Sequence, residues 1–577
     1  MQKFALLIFL LSVSLGDFLF AQRPSAVLGR GPGVANRMKP FIQSGHRLLH
    51  RDTTYVLTGW YFVDSLASLT IQPGTLIVGD TASAATLIIR RGGKINANGT
   101  ASQPIVFTSS APAGRRKIGD WGGIIILGSA PTNKPTTTQI EGGFGVEPGT
   151  DAMYGGANPD DSSGVLRYVR IEFPGIAYSQ DNEINGLTFG GVGRKTVVEY
   201  IQVSYCGDDD YEFFGGNVDA KYLVSWINVD DNFDTDHGYS GRLQFLYVKR
   251  DSTIFDASAP GQSNGFESDN EGRSPYAALP RTSARVSNVT LIGPQSDTSS
   301  TISGKWGHLA MIRRASEFSI YNSILVGYPM GIELRDTLTQ RAAIDGRLEI
   351  RNTSIQSRTR TLGLSSSPST GNIAGFDIAA WFNRPEFANR GSTPRRASDV
   401  GFTPAAFSFD PKIHNPIPTA GSEGATAPAA FNVGRLSGDT WFTPVTYRGA
   451  FDPSKPMSAQ WTAGWTNFDP VHTDYSRGVT NVEQVSTLIP TEFVLEQNYP
   501  NPFNPTTTIR YSLAKAERVH LAVYDLLGQE VTILVDGHQQ AGEYSTLFNA
   551  TGLTSGVYFY KLSTGSGVQV RKMLLLQ

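Results

Sequence analysis

Cysteine is nearly absent: the 577-residue chain carries one, Cys206. One cysteine cannot close an internal disulfide, and a thiolate metal site needs several sulfurs or histidines. Cys206 is therefore expected to be a small buried apolar residue. Histidine is scarce as well, and its 8 copies are scattered without zinc-type spacing. Charged residues make up 17 % and the formal net charge is −2. That leaves no broad basic field, so no nucleic-acid partner is expected, and there is no acidic tail. Helical periodicity is weak throughout. Gly190-Gly191-Val192-Gly193 lacks the strand-to-helix setting of a phosphate loop. The one long apolar run, Phe4 to Leu15, is interrupted at Asp17, short of the roughly 20 residues that span a bilayer. With Lys3 before it and Ala21-Gln22 after it, the run has the form of a signal peptide over residues 1–21. A mature chain without a transmembrane segment is expected.

What the sequence has is turns and short β-forming runs. Gly occurs 61 times and Pro 32 times. Leu69-Thr70-Ile71, Leu76-Ile77-Val78, Thr86-Leu87-Ile88-Ile89, Ile105-Val106-Phe107-Thr108 and Gly123-Ile124-Ile125-Ile126-Leu127 are separated by Gly, Pro or Asn turns. Such runs are strands, too short and too close for helical crossovers. Between Leu187 and Gly238 the pattern repeats. Phe189-Gly190-Gly191 returns as Phe214-Gly215-Gly216 after 25 residues. Asp208-Asp209 returns as Asp230-Asp231, and Tyr211-Glu212 as Phe233-Asp234, both after 22. A step of 20–30 residues with short strands is the signature of a solenoid, whose repeats bury their apolar faces only against their neighbours. Residues 129–163, polar and rich in Gly and Pro, read as a loop leaving the coil.

Asn288, Asn322 and Asn352 sit in three matching runs. Asparagine tolerates the left-handed conformation of a sharp corner, and amides stacked at the strand spacing can hydrogen-bond along the stack. An asparagine ladder at one corner is therefore expected. Gly265-Phe266-Glu267 and Gly331-Ile332-Glu333 mark another corner on neighbouring coils. Residues 51–365 resemble the right-handed parallel β-helix superfamily, known from pectate lyases and many surface proteins. The resemblance implies an all-β passenger, preceded by a flexible leader over 22–50.

From 366 to 475 the pattern fails. Asp377 to Phe382 reads as one short helix, and Trp441, Trp461 and Trp465 are the densest aromatics. Two readings stand: a cap over the open end of the solenoid, or a carbohydrate platform made by the three indoles.

A polar linker, 476–490, precedes the tail. Over 491–577 the runs Thr507 to Leu513, Val519 to Tyr524, Val531 to Leu534, Gly542 to Phe548, Val557 to Leu562 and Val568 to Leu575 argue an immunoglobulin-like β-sandwich. Asn498-Tyr499-Pro500-Asn501-Pro502-Phe503-Asn504-Pro505, the run from Val523 through Gly528 to Val531, Gly552 to Tyr558 with Gly556, and Arg571-Lys572-Met573 occur here in order. This tail resembles the type A C-terminal sorting domain of the type IX secretion system of Bacteroidota-like diderm bacteria. The resemblance implies Pro500, Asn501, Pro502, Phe503, Asn504, Pro505, Gly528, Gly556, Tyr558 and Lys572 as the sorting signal. It implies the translocon and its sorting peptidase as partners, and the outer cell surface or medium as destination.

The repeat places Asp208 over Asp230, Asp209 over Asp231 and Glu212 over Asp234. Carboxylates about 5 Å apart repel unless solvated, protonated or bridged by a cation. Three readings remain: solvated turn residues, a calcium site with oxygen ligands from these six, or a catalytic carboxylate pair. Asp209, Asp231, Asp234 and His237 are the candidates for the last, with Arg242 as the base of a lyase. Asp209-Asp210 and His237-Gly238 resemble two parts of polygalacturonase-type hydrolases, but the Asn-Thr-Asp and Arg-Ile-Lys elements of those enzymes have no match. The leading function is non-catalytic surface binding of polysaccharide, matrix or another cell. A calcium-dependent polysaccharide lyase or glycoside hydrolase is the rival, and a structural envelope component the third possibility.

Overall fold

The computed structural model describes residues 24–146, 148–179, 182–257, 262–295, 302–365, 371–476, 478–479, 482–486, 493–539 and 541–576. The signal peptide read over 1–21 lies outside the described residues.

Short runs of β-formers stack in register into a 25-stranded parallel sheet that winds as a β-helix. The pairings trace three faces. Ser25–Leu28, Thr54–Leu57, Leu76–Gly79 and Ile105–Ser109 begin the first. Pro40–Gln43, Trp60–Val63, Thr86–Ile89 and Gly123–Leu127 begin the second. His46–Leu49, Ser68–Ile71 and Lys94–Asn98 begin the third. From Gly164 onward third-face and first-face strands run as one, so Gly164–Glu172 pairs with both Lys94–Asn98 and Ile105–Ser109. Alternate side chains point inward and form one continuous core from Leu28 to Phe387. Parallel stacking at fixed register places like side chains over like, because every coil supplies its neighbour's ladder bonds.

The leader assignment is corrected. Residues 25–49 form the first strand of each face and pair with the coil that follows. The Gly and Arg content of that stretch hid three runs of four residues.

The corner between third and first faces is a column of left-handed residues. Tyr168, Tyr200, Tyr222, Phe245, Asn288, Asn322 and Asn352 have φ between 50° and 63°. Their registers follow from the flanking pairs. Aromatic residues are unusual there. Ring stacking compensates, with centroids 4.3 Å apart for Tyr168–Tyr200, 4.4 Å for Tyr200–Tyr222 and 5.0 Å for Tyr222–Phe245. The asparagines hold the expected conformation, but their amides do not bond one another. Asn322 bonds the backbone of Ala430 in both directions, and the Asn288 amide donates to the Tyr447 carbonyl.

Those partners belong to the irregular region, which does two jobs. A short helix, Ile378–Phe382, capped by Asp377, plugs the end of the solenoid with Trp381, Phe382 and Phe387. Residues 397–476 then turn back as a strap along the first face, reaching onto the third around Asp439 to Thr443. Phe402, Ala450, Phe451 and Trp465 pack on Val224, Trp226, Tyr247, Ile292 and Ile324, and Tyr475 with Val479 reaches Leu76 and Val106. The cap expected over 366–475 is thus only its first part. The three indoles do not form a platform. Trp465 is fully buried, edge-on to Tyr168 and Tyr200. Trp461 stacks on Phe451, and Lys221 and Arg242 lie over the Trp441 ring.

The tail folds into two four-stranded antiparallel sheets around their own core, consistent with a sandwich. Val482–Ser486, read as linker, pairs with Gly542–Asn549 at the edge of the first sheet.

Candidate functional site

The coils with strands Val197–Cys206 and Ala220–Asn228 pass from first to second face through a short polar corner, and the next coil, after a longer excursion, enters its second-face strand through the same corner position. Asp208-Asp209-Asp210 is followed by Asp230-Asp231-Asn232 and then by Ser263-Asn264-Gly265. The strand after each corner opens with an inward aromatic. Tyr211, Phe233 and Phe266 stack with centroids 4.9 and 5.5 Å apart. That stack fixes the register, and strand alternation then forces the next residue of every coil outward. Glu212 pairs with Asp234, and Asp234 with Glu267. The corners are tied along the same axis: the Asp231 amide donates to Asp209 Oδ1 at 2.7 Å, and the Asn264 amide donates to Asp231 Oδ1.

The outcome is a ladder of carboxylates. Asp208, Asp209 and Asp230 bring one oxygen each within 4.8 Å of one another, as do Asp209, Glu212 and Asp234, and Asp231, Asp234 and Glu267. Asp209 and Asp234 each serve two groups. All six residues read as metal ligands in the sequence are brought together. Glu267 was missed as a ligand because the 251–265 excursion stretches the step to it, although Gly265-Phe266-Glu267 repeats the local pattern. Glu141 was missed entirely. It reaches in from the 129–163 loop, and the Asn185 amide, which donates to Glu141 Oε1 at 2.7 Å, also donates to Glu212.

Among the described residues, none of Asp208, Asp209, Glu212, Asp230, Asp231 and Asp234 makes a salt bridge. Burial, and next the neighbouring carboxylates, push Asp208, Asp209, Glu212, Asp231 and Asp234 well above the usual carboxylate range. Burial, then Glu267, raises Asp230 to about 7. The nearest cations are partly committed: Arg250 grips the Asp230 and Val229 carbonyls from behind, and Arg313 pairs with Glu267 and Asp269.

The catalytic candidates separate. Asp209, Asp231 and Asp234 belong to the ladder. His237 closes the same strand, with Nδ1 2.9 Å from the Tyr154 hydroxyl and Nε2 3.2 Å from Asp236. Burial, then Lys134, lowers it to about 3, so the ring is neutral at physiological pH. Arg242 lies on the third face, locked between Asp219 and Asp439, and so stapling the strap rather than facing the ladder. Cys206 is buried, its thiol donating to the Asp209 carbonyl at 3.0 Å.

In the tail, the Pro- and Asn-rich segment clasps the sandwich. Phe503 is buried against Phe548 and bonds the last strand at Leu574 and Leu576. Asn501 accepts from the Leu574 amide and donates to the Lys572 carbonyl. Pro500 offers its carbonyl to Asn498 and Thr507, and both Pro500 and Pro502 follow cis peptide bonds. Asn504 and Pro505 lead into the strand Thr506–Leu513, and the Pro505 carbonyl accepts from Ala550. Gly528 closes a tight turn with φ 78°, beside exposed Leu526 and Leu527. Gly556 opens the strand Gly556–Thr564, in which the Tyr558 hydroxyl donates to the Thr554 carbonyl.

Residues 41–383 match the family described as pectate-lyase like beta helix domain. Residues 497–576 match the secretion system C-terminal sorting domain. No curated protein matches the chain. Among solved structures, the Dettilon tailspike protein gp208 is similar at 9 % identity and TM-score 0.16, over 56 % of this chain and 64 % of that one. Tailspike protein 2 of the Escherichia coli O157:H7 bacteriophage CAB120 is similar at 11 % identity and TM-score 0.18, over 90 % of this chain and 64 % of that one. The chain thus spans less than two thirds of either tailspike.

Proposed function

This chain belongs to the family of pectate-lyase like β-helix domains and ends in a type IX secretion sorting domain, and from that premise we propose that its β-helix binds glycan at the cell surface through a calcium-bearing second face. Export to the cell surface or the medium follows from the tail. Among the described residues no helix is long and apolar enough to cross a membrane.

One observation carries the calcium: carboxylates of successive coils converge, buried, and among the described residues only Glu267 has a cationic partner, Arg313. The donors are all oxygen, which suits calcium rather than a softer metal. Asp230 Oδ1 and Asp234 Oδ1 are buried without a hydrogen bond among the described residues, and coordination would satisfy them. The glycan part rests on the family and on an elongated face, from which Arg242 is turned away by its pairing with Asp219 and Asp439.

Titrating calcium into the mature full-length protein tests the cation: saturable heat, abolished in Asp209→Ala, supports it, and no heat removes it. Incubating the protein with acidic and neutral polysaccharides tests the rest. Retention without new reducing ends or unsaturated sugars fits binding, whereas products that vanish in Asp231→Ala make the protein a lyase or hydrolase. For the tail, deleting 491–577 strands the passenger in the periplasm. Surface display of that truncation refutes the sorting role.

A further inference from the structure

Two excursions leave the solenoid on the side of the second face. One lies between Leu127 and Gly164. The other is a hairpin, Ile176–Ser179 with Asn182–Ile184. The coils close their core without either, and insertions gathered on one face of a solenoid commonly build its binding surface. The two meet where Asn182 Oδ1 accepts from the amides of Gly142 and Gly143, at 2.6 and 3.1 Å. Beneath this junction lies a cavity of about 390 Å³, within the size range of small-ligand sites.

Its walls mix rings with polar groups. Phe144, Tyr154 and Phe214 are buried, and Phe144 is braced by Trp60 and Phe62. Tyr178 stands at the mouth, 44 % exposed, its ring so close to Gly143 that a Cβ there would lie 2.7 Å from it. Glu141 and Lys134 also line the space, with Lys134 held by Glu271.

We infer that this cavity is a subsite for one neutral pyranose ring of a bound glycan. A sugar offers apolar C–H faces to aromatic rings and a rim of hydroxyls to carboxylate, amide and amine groups. A purely apolar ligand would desolvate Glu141 and Lys134 without returning a hydrogen bond. An anionic ring would stand against Glu141, whose partner is the neutral Asn185 amide, while the charge of Lys134 is taken up by Glu271. The inference rests on the glycan-binding function proposed above and assigns it a place and a charge class. Glu141, sharing the Asn185 amide with Glu212, connects the subsite to the ladder.

The test uses the full-length secreted protein in calcium, with cellohexaose, laminarihexaose, mannohexaose and xylohexaose as neutral probes and trigalacturonate as the anionic one, read by saturation-transfer NMR and calorimetry. At least one neutral hexasaccharide is expected to bind saturably and to weaken about tenfold in Tyr178→Ala, a loss typical of one aromatic stacking contact. Because Tyr178 is at the surface, that variant folds, and its unchanged melting curve is the control. Glu141→Gln is expected to weaken the same probe. Neutral-probe binding that survives both substitutions overturns the subsite and leaves glycan binding standing. Preference for trigalacturonate overturns the charge class. No saturable binding by any probe overturns the subsite together with the glycan function.

Discussion

Two columns of stacked side chains run along this β-helix, and they differ in whether the stack can hold itself together. At the corner between third and first faces, Tyr168, Tyr200, Tyr222 and Phe245 stack ring on ring, and Asn288, Asn322 and Asn352 continue the column into the strap. At the corner leading to the second face, Asp208, Asp209, Asp230 and Asp231 stack carboxyl on carboxyl, with Glu212, Asp234 and Glu267 beside them. The same backbone repeat produces both. Aromatic faces attract at this spacing, whereas like charges placed opposite one another destabilise. The first column is complete as it stands. The second is relieved only where its carboxyls hold protons or share a cation.

The largest effect should come from stripping the aromatic column of its cover. Trp465→Ala removes an indole buried against Tyr168 and Tyr200 and should cost about 3–5 kcal/mol in urea melts, with early proteolysis of the strap. Unchanged stability would mean that the strap does not brace the column.

Next comes filling the acidic column. Calcium at about one hundred times its dissociation constant should stabilise the fold by about 2.7 kcal/mol, seen as a higher melting temperature reversed by chelator. A pH series sharpens this. The ladder carboxylates titrate higher folded than unfolded, so the folded state holds more protons. Without calcium, the ladder's contribution to stability is therefore full below the ordinary carboxylate range and is lost as pH rises through about 7, where Asp230 titrates, and beyond, where the others follow. With calcium saturating, the loss toward neutral pH should shrink, because the cation replaces the protons.

Within the aromatic column, Tyr222→Leu keeps an apolar residue but loses both stacking partners, at an expected cost of about 0.5–1.5 kcal/mol by denaturant titration. The smallest change carries the opposite sign. Asp209→Asn should stabilise the calcium-free protein by about 0.2–1 kcal/mol while removing the calcium-dependent rise. Destabilisation without calcium would show that Asp209 is held by its bond to the Asp231 amide more than it is strained by its neighbours.

Much of this was legible in the chain. The 22-residue echo of Asp208-Asp209 and Tyr211-Glu212 placed Glu212 over Asp234 because a parallel ladder preserves register from coil to coil. The asparagine corners were legible for the same reason. Glu267 and Glu141 were not, because one follows an insertion that breaks the step and the other arrives from a loop with no repeat at all. The left-handed tyrosines also escaped notice, since tyrosine carries no local preference for that conformation and only its stacked neighbours make it tolerable.

By itself the sequence determined the solenoid, its step, the export tail and the acid-rich coils, because each follows from local pattern repeated in register. Tertiary structure decided that residues 25–49 are the first coil, that Arg242 faces the third side, that 397–476 strap the solenoid, and that two insertions line a cavity beside the ladder. Those depend on contacts between residues far apart in the chain, for which no periodicity exists to be read.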